Sequence, residues 1–237
     1  MSAPEPTDSL PPGPPDGART LRPVAFFRSP FADKFGVPRQ SGLAPSLRGR
    51  VEFEPAFRDA AAVRGLEAFD FVWLLWGFRE TTADFRPTVR PPRLGGNARV
   101  GVFATRSPFR PNGLGLSAVR LARVADGALD VLGADLADGT PVYDVKPYLP
   151  YADSRPDARA GFASAAPRPS LEVVLPDDAA RAFSPPDLAA LREALALDPR
   201  PPYQDDPDRA YGMSFAGREV RFRVAAGRLT VLSIFIL

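Results

Sequence analysis

Histidine and cysteine are both missing from the 237 residues of this chain. Without them there is no Ser-His-Asp or Cys-His nucleophilic pair, no zinc site of the usual nitrogen–sulfur kind, no thiolate-held iron–sulfur cluster and no imidazole acid or base. Without cysteine there are no disulfides, so nothing argues for an oxidising compartment. Lysine is scarce, occurring only at Lys34 and Lys146, which leaves arginine as the general-purpose cation. No basic segment followed by an apolar one opens the chain, and no apolar run approaches the ~18 residues of a membrane span. The expectation is a soluble cytoplasmic protein. What remains chemically is carboxylate or backbone chemistry, an all-oxygen metal site, or a substrate that brings its own reactivity.

With 45% hydrophobic and 24% charged residues, the chain can bury an ordinary core, as one large domain or one domain with an appendage. The formal charge is only +2, but it is unevenly spread. From Phe85 to Ala125 there is no acidic residue, while Arg86, Arg90, Arg93, Arg99, Arg106, Arg110, Arg120 and Arg123 are all basic. Aspartates then dominate from Asp126 to Asp157. Such a stretch is either a footprint for a polyanion or a set of solvated arginines paired with the later aspartates.

Residues 1–20 read as a disordered tail, because its prolines fall among Gly, Ser and Asp and preclude ladder bonding. Strands are expected at Leu21–Arg28, Arg50–Glu54, Arg99–Ala104, Leu116–Val124, Leu129–Ala134 and Pro141–Lys146, and a helix at Pro55–Arg64 with Gly65 as its stop. The aromatic run Ala68–Phe78 reads as a fully buried strand and Asp84–Gly96 as a loop. Short strands with one helix suggest an antiparallel sheet curled toward a barrel, over residues 21–163. Small residues and prolines near Gly161–Ser170 mark a boundary. Residues 164–237 then form a small α+β unit: a strand at Leu171–Leu175, a helix capped by Ser184, and strands at Tyr211–Phe215, Glu219–Val224 and Leu229–Phe235. The fold class is thus mainly β, with α+β character.

Gly113-Leu114-Gly115 does not make a dinucleotide loop, since a turn precedes it and a strand rather than a helix follows. No lysine follows a glycine loop, so a P-loop is excluded. More informative are loops in which prolines fix the shape around polar groups: Ser29–Gln40, Gly95–Arg99, Ala104–Asn112, Asp135–Pro141 and Asp144–Tyr151.

These segments resemble the TsaA-like, or TrmO, family of tRNA methyltransferases. The resemblance rests on Arg28-Ser29-Pro30 with Val37-Pro38-Arg39-Gln40, on Ala62–Glu67, Arg86–Asn97 and Gly101–Asn112, on Asp138-Gly139-Thr140-Pro141 and Asp144–Leu149, and on Asp198-Pro199-Arg200-Pro201. It extends from about Pro23 to the C-terminus. It implies a barrel that binds S-adenosylmethionine, a homodimer, and methylation of N6 of threonylcarbamoyladenosine beside the tRNA anticodon. Carried over as donor contacts are Pro38, Arg39, Gln40, Phe71, Val72, Arg106, Leu116 and the turn Asp135, Leu136, Ala137, Asp138, Gly139 and Thr140. Phe71 departs from the family, which usually has histidine there; its ring still offers a π face to a sulfonium.

Methyl transfer from a sulfonium draws most of its acceleration from positioning, so it suits a protein without histidine. The acceptor nitrogen is a poor nucleophile whose proton must be taken up, and Asp144 and Asp138 are the candidate acceptors. Arg86, Arg90, Arg93, Arg110 and Lys146 would hold the phosphates of the tRNA anticodon loop, while Tyr148 and other aromatics stack on its unpaired bases. No metal is called for. The other reading is a catalytically silent RNA-binding module of the same fold, and S-adenosylmethionine binding separates the two.

Overall fold

The structure is a computed structural model and describes residues 20–79, 85–95, 97–165, 171–177, 181–201 and 204–237. Residues 1–19 of the expected tail, Asp84 and Gly96 of the expected loop and 166–170 of the expected boundary lie outside the described residues.

Six strands close into an antiparallel barrel: β1 (Ala25–Arg28), β2 (Arg48–Phe53), β3 (Phe71–Gly77), and, after two-residue strands β4 (Thr88–Val89) and β5 (Val100–Gly101), β6 (Leu114–Ala125), β7 (Ala128–Leu132) and β8 (Thr140–Pro147). The order around the barrel is β1-β2-β7-β6-β3-β8, so no edge is left open. Alternation decides which side chains point inward: Val72, Leu74 and Trp76 of β3, Val119 and Leu121 of β6, and Val131 of β7 all enter one core with Phe27 and Val51. Each such residue is worth roughly 1.5–3 kcal/mol of burial. Gly115 exists for packing: a Cβ there would stand 2.4 Å from the Trp76 ring.

The aromatic run is therefore not buried on both faces. Phe71 is 43% exposed on the outer barrel wall, beside Trp73 and Leu75. The expected helix at Pro55–Arg64 is replaced by separate 3₁₀ turns at Pro55–Phe57, Ala60–Val63 and Leu66–Ala68, none with a buried residue. The alanines carry helix propensity but no apolar stripe, and a short segment without a buried face has little to hold an α-helix together. The expected strand at Arg99–Ala104 shrinks to β5 and turns 3₁₀ at Val102–Ala104. A four-residue helix, α1 (Pro150–Asp153), follows the barrel.

The second unit pairs β9 (Glu172–Val174), β10 (Ala210–Phe215), β11 (Arg218–Ala225) and β12 (Arg228–Ile236) in the order β10-β11-β12-β9. The helix α2 (Pro185–Ala196) packs into the same core, with Ser184 accepting from the Asp187 N–H as its cap. This core also takes in Phe31, Ala44 and Leu47 from the long β1–β2 connection. Ser46 donates to Glu193 of α2 through both its N–H (2.8 Å) and its hydroxyl (2.7 Å). Gly36 in this connection has φ +89°, and a Cβ on it would meet the Met213 sulfur at 2.4 Å. The C-terminal unit thus grips the loop that the sequence singled out at Pro38–Gln40. Among the described residues no helix is long and apolar enough to cross a membrane.

Candidate functional site

One cleft, of about 2110 Å³, opens between the grasped β1–β2 loop, the end of β3, the arginine-rich segment before β6 and the turn before β8. That exceeds the ~300–1,000 Å³ of a small-molecule pocket, so it has room for a cofactor and part of a larger substrate. Its lining holds seven arginines and Lys34 against two carboxylates, Asp33 and Asp135.

Asp135 forms part of the floor. Its Oδ1 accepts from the Ser117 hydroxyl at 2.6 Å, and Ser117 in turn accepts from the Trp76 indole N–H at 3.0 Å. Trp76 occupies one side of Ser117, so the hydroxyl proton is directed at the carboxylate. Burial pushes the Asp135 carboxyl up, opposed by the Ser117 hydrogen bond and the nearby Arg106 charge. Across the cleft Arg106 donates to the Gln40 side-chain oxygen, tying the two segments that carry the strongest motifs. Arg39 reaches the Arg200 carbonyl of the C-terminal unit at 3.4 Å.

The turn before β8 is locked from several sides. Asp138 Oδ1 accepts from the Ser29 N–H at 3.0 Å, the Gly139 N–H donates to the Phe27 carbonyl at 2.7 Å, and the Thr140 hydroxyl donates to the Ala137 carbonyl at 2.7 Å. Asp138 therefore shapes the cradle and does not line the cleft, whereas Asp135, Leu136, Ala137 and Thr140 do.

Of the arginines from Arg86 to Arg123, only Arg123 forms a salt bridge with the later aspartates among the described residues, sharing Asp130 with Arg50 at 2.7 Å each. Arg86, Arg90, Arg93, Arg99 and Arg106 line the cleft instead. Arg90 has no hydrogen-bond or ion-pair partner among the described residues. Arg93 reaches the Ala165 carbonyl at 2.7 Å. Arg110 is different: its guanidinium donates to the Thr105 carbonyl at 2.8 Å, with longer contacts to Val102 and Ser107, and so holds its own loop closed.

The remaining expected site residues lie elsewhere. Val72 is fully buried in the barrel core between β6 and β8 and offers no surface to a ligand, contrary to its expected donor contact. Phe71 lies five residues before Trp76 on β3, roughly 17 Å from the cleft end of the strand at ~3.3 Å per residue. Leu116 is 53% exposed on the outer wall, opposite Leu75, and Asp144 faces Leu75 from the other neighbouring strand. Asp144 is held by Lys146 (2.9 Å) and by its neighbour's N–H (2.9 Å). Tyr148 packs against Trp73 and Phe71, at centroid distances of 5.6 and 6.2 Å. Sequence reasoning missed Trp76, Ser117, Arg79 and the rim phenylalanines Phe85 and Phe103. For Trp76 a signal was there, since period-2 reading of the run puts it on the same face as Val72 and Leu74.

Fold and cleft define a β-barrel protein with an arginine-lined cleft and one half-buried carboxylate set among the cations. Comparison with known proteins narrows this. The chain matches the tRNA-methyltransferase O N-terminal domain over residues 26–154 and the TrmO C-terminal domain over residues 168–235. It is 44% identical over 224 residues to the tRNA (adenine(37)-N6)-methyltransferase of Escherichia coli K12, covering 89% of this chain and 95% of that protein. The human protein of the same name is 39% identical over 141 residues, which are 58% of this chain and 32% of that one. A crystal structure of TrmO superposes with a TM-score of 0.77 at 36% identity, covering 92% of this chain and 99% of that one. The chain belongs to the tRNA-methyltransferase O family.

Proposed function

We propose that this protein is an S-adenosylmethionine-dependent tRNA methyltransferase acting on N6 of the adenosine at position 37, in its threonylcarbamoyl form, and that it works in the cytoplasm as a homodimer. The observation that carries the reading is the arginine-lined cleft with the half-buried Asp135 in its floor, in a chain whose relatives over most of its length are tRNA (adenine(37)-N6)-methyltransferases.

The residues present suit the methyl donor. A cationic ligand with a carboxylate at one end calls for one acid among bases, and Asp135 beside Arg106, Gln40 and Arg39 supplies that set. Leu136, Val37 and Leu43 offer apolar surface for its flat ring. The donor when bound supplies an electrophilic methyl on sulfur. The chain's own part is to orient the partners: the Pro38–Gln40 loop is braced by the C-terminal unit, and the Asp135–Thr140 turn is fixed by its hydrogen bonds. Arg86, Arg90 and Arg93 are proposed to hold phosphate. Phe71, Leu116, Trp73 and Leu75 form an apolar stretch of outer barrel wall suited to a second copy of the chain, whose approach would cover it.

The test is methylation of tRNA isolated from a strain lacking this protein, with the nucleosides read by mass spectrometry. Gain of one methyl on N6 of the threonylcarbamoyl nucleoside supports the reading. Donor binding without transfer to any tRNA removes it. Absence of donor binding in calorimetry favours the silent RNA-binding module. Light scattering on the purified protein decides the dimer.

A further inference from the structure

Four phenylalanines line the cleft and stay exposed: Phe103 at 71%, Phe85 at 49%, Phe162 at 37% and Phe109 at 36%. Large apolar side chains held open to water around a single opening mark a surface that is covered in use. Their arrangement narrows what covers them. The Phe85 and Phe103 rings have centroids 6.5 Å apart and planes 30° from parallel. The two rings thus stand side by side as a loosely packed pair, within the ~4.5–7 Å of aromatic contacts, and together present apolar surface at the cleft.

The surroundings favour a nucleobase. The Arg110 guanidinium lies 5.9 Å from the Phe103 centroid, immobilised by the loop carbonyls it binds. The Arg86 guanidinium lies 4.3 Å over the Phe109 ring, so a second flat cation–aromatic stack stands on the same rim. Aromatic faces beside guanidinium planes and free cationic groups are the elements with which proteins hold unpaired bases and their phosphates. Phe103 has little choice of place: the 3₁₀ turn Val102–Ala104 buries Val102 and turns its neighbour outward.

We propose that Phe85 and Phe103 form a stacking platform for one unpaired base of the RNA substrate, next to the nucleoside that enters the cleft. The proposal rests on the reading that tRNA is the substrate and adds the subsite that grips its loop. The shared chemistry is a flat heteroaromatic ring, which the donor's adenine also offers. The tRNA base is the assigned occupant because both rings are exposed, while the group proposed to anchor the donor, Asp135, lies deeper, against Ser117 and Trp76.

The test uses the full chain, an anticodon stem-loop carrying 2-aminopurine at one unpaired position at a time, and the variants Phe103→Ala, Phe85→Ala and Phe103→Trp. With wild-type protein, one labelled position should lose fluorescence on binding as its base stacks. Phe103→Ala should abolish that quenching and weaken stem-loop binding by about five- to a hundredfold, with S-adenosylmethionine affinity and the salt dependence of RNA binding unchanged. Phe103→Trp should retain both binding and quenching. The platform is overturned if Phe103→Ala binds and quenches like wild type. It is also overturned if that variant loses donor affinity in proportion, which would give the rings to the donor's adenine, or if it changes the oligomeric state, which would give the rim to a second copy. If the wild-type enzyme methylates no tRNA, the proposed function fails on its own account, and the stem-loop quenching still reports on the stacking platform.

Discussion

Asp135 carries a cost that the free protein bears for the sake of the cleft. Burial raises its carboxyl pKa, against the Ser117 hydrogen bond and the Arg106 charge. In the unfolded chain it titrates near an ordinary ~3.9. Between that value and the higher folded one the native state holds more proton than the unfolded state, so stability falls as pH rises through this window. Asp135→Asn should remove the decline, leaving a flatter melting profile from pH 4 upward, while donor affinity drops. An unchanged profile would mean that the carboxylate is not buried as described. Arg106 is the complementary test. Losing a guanidinium that spans to Gln40 and is proposed to meet the donor's charged end should weaken S-adenosylmethionine binding by about tenfold or more, since charge-assisted bonds are worth ~1.5–3 kcal/mol; wild-type affinity in calorimetry would remove Arg106 from the site. Both residues stood among the donor contacts that the family resemblance led one to expect, and the structure places both at the cleft. Their difference in burial was not legible in the sequence, because the Ser117–Trp76 pair beneath Asp135 comes from two other strands.

Elements were legible where alternation ran uninterrupted. Leu116–Val124 became Leu114–Ala125, Glu219–Val224 became Arg218–Ala225, and the helix after Ser184 began at Pro185 where its cap required. They were misread where local propensity lacked a tertiary partner, as in the alanines of 60–62, or where an apolar run was taken as two-sided burial, as in β3. Nor did the sequence reveal that the loop after β1 would root in the other core. Phe31 and Leu47 are apolar residues in a proline-rich connection, and only contact with Phe215 and α2 explains them. This rooting makes a prediction at the scale of the element. Glu193→Ala removes the acceptor of both Ser46 bonds and should cost about 2 kcal/mol in denaturant unfolding, two charge-assisted bonds being partly replaced by water. Because the same loop carries Pro38–Gln40, donor affinity should fall as well, although Glu193 does not line the cleft. Loss of stability with donor affinity intact would show that the loop keeps its shape without the brace.

The molecule as a whole concentrates positive charge on one opening while its net charge stays at +2. The sequence showed the arginine-rich stretch but left two fates open, pairing with the later aspartates or facing a polyanion; the closed barrel separates them by pairing Arg123 with Asp130 and turning Arg86, Arg90 and Arg93 into the cleft. Fields of this kind act through released counterions, so tRNA affinity should fall steeply with salt, with a log–log slope of roughly 0.7 per phosphate contacted on single-stranded segments. The arginines of the stretch should not respond alike. Arg90, with no partner among the described residues, is the clean probe: Arg90→Ala should lower the slope by about 0.7 while leaving the melting temperature and donor affinity as they were. Arg110 binds three carbonyls of its own loop, so Arg110→Ala should lower the melting temperature first and affect tRNA binding through the loss of loop shape. Measured side by side across a salt series, the two variants separate a phosphate contact from a structural guanidinium. If both melt early with an unaltered slope in the folded fraction, the arginines serve the barrel rather than the substrate. If Arg90→Ala flattens the slope and Arg110→Ala does not, the field of the cleft is what brings the anticodon loop to the half-buried carboxylate beneath it.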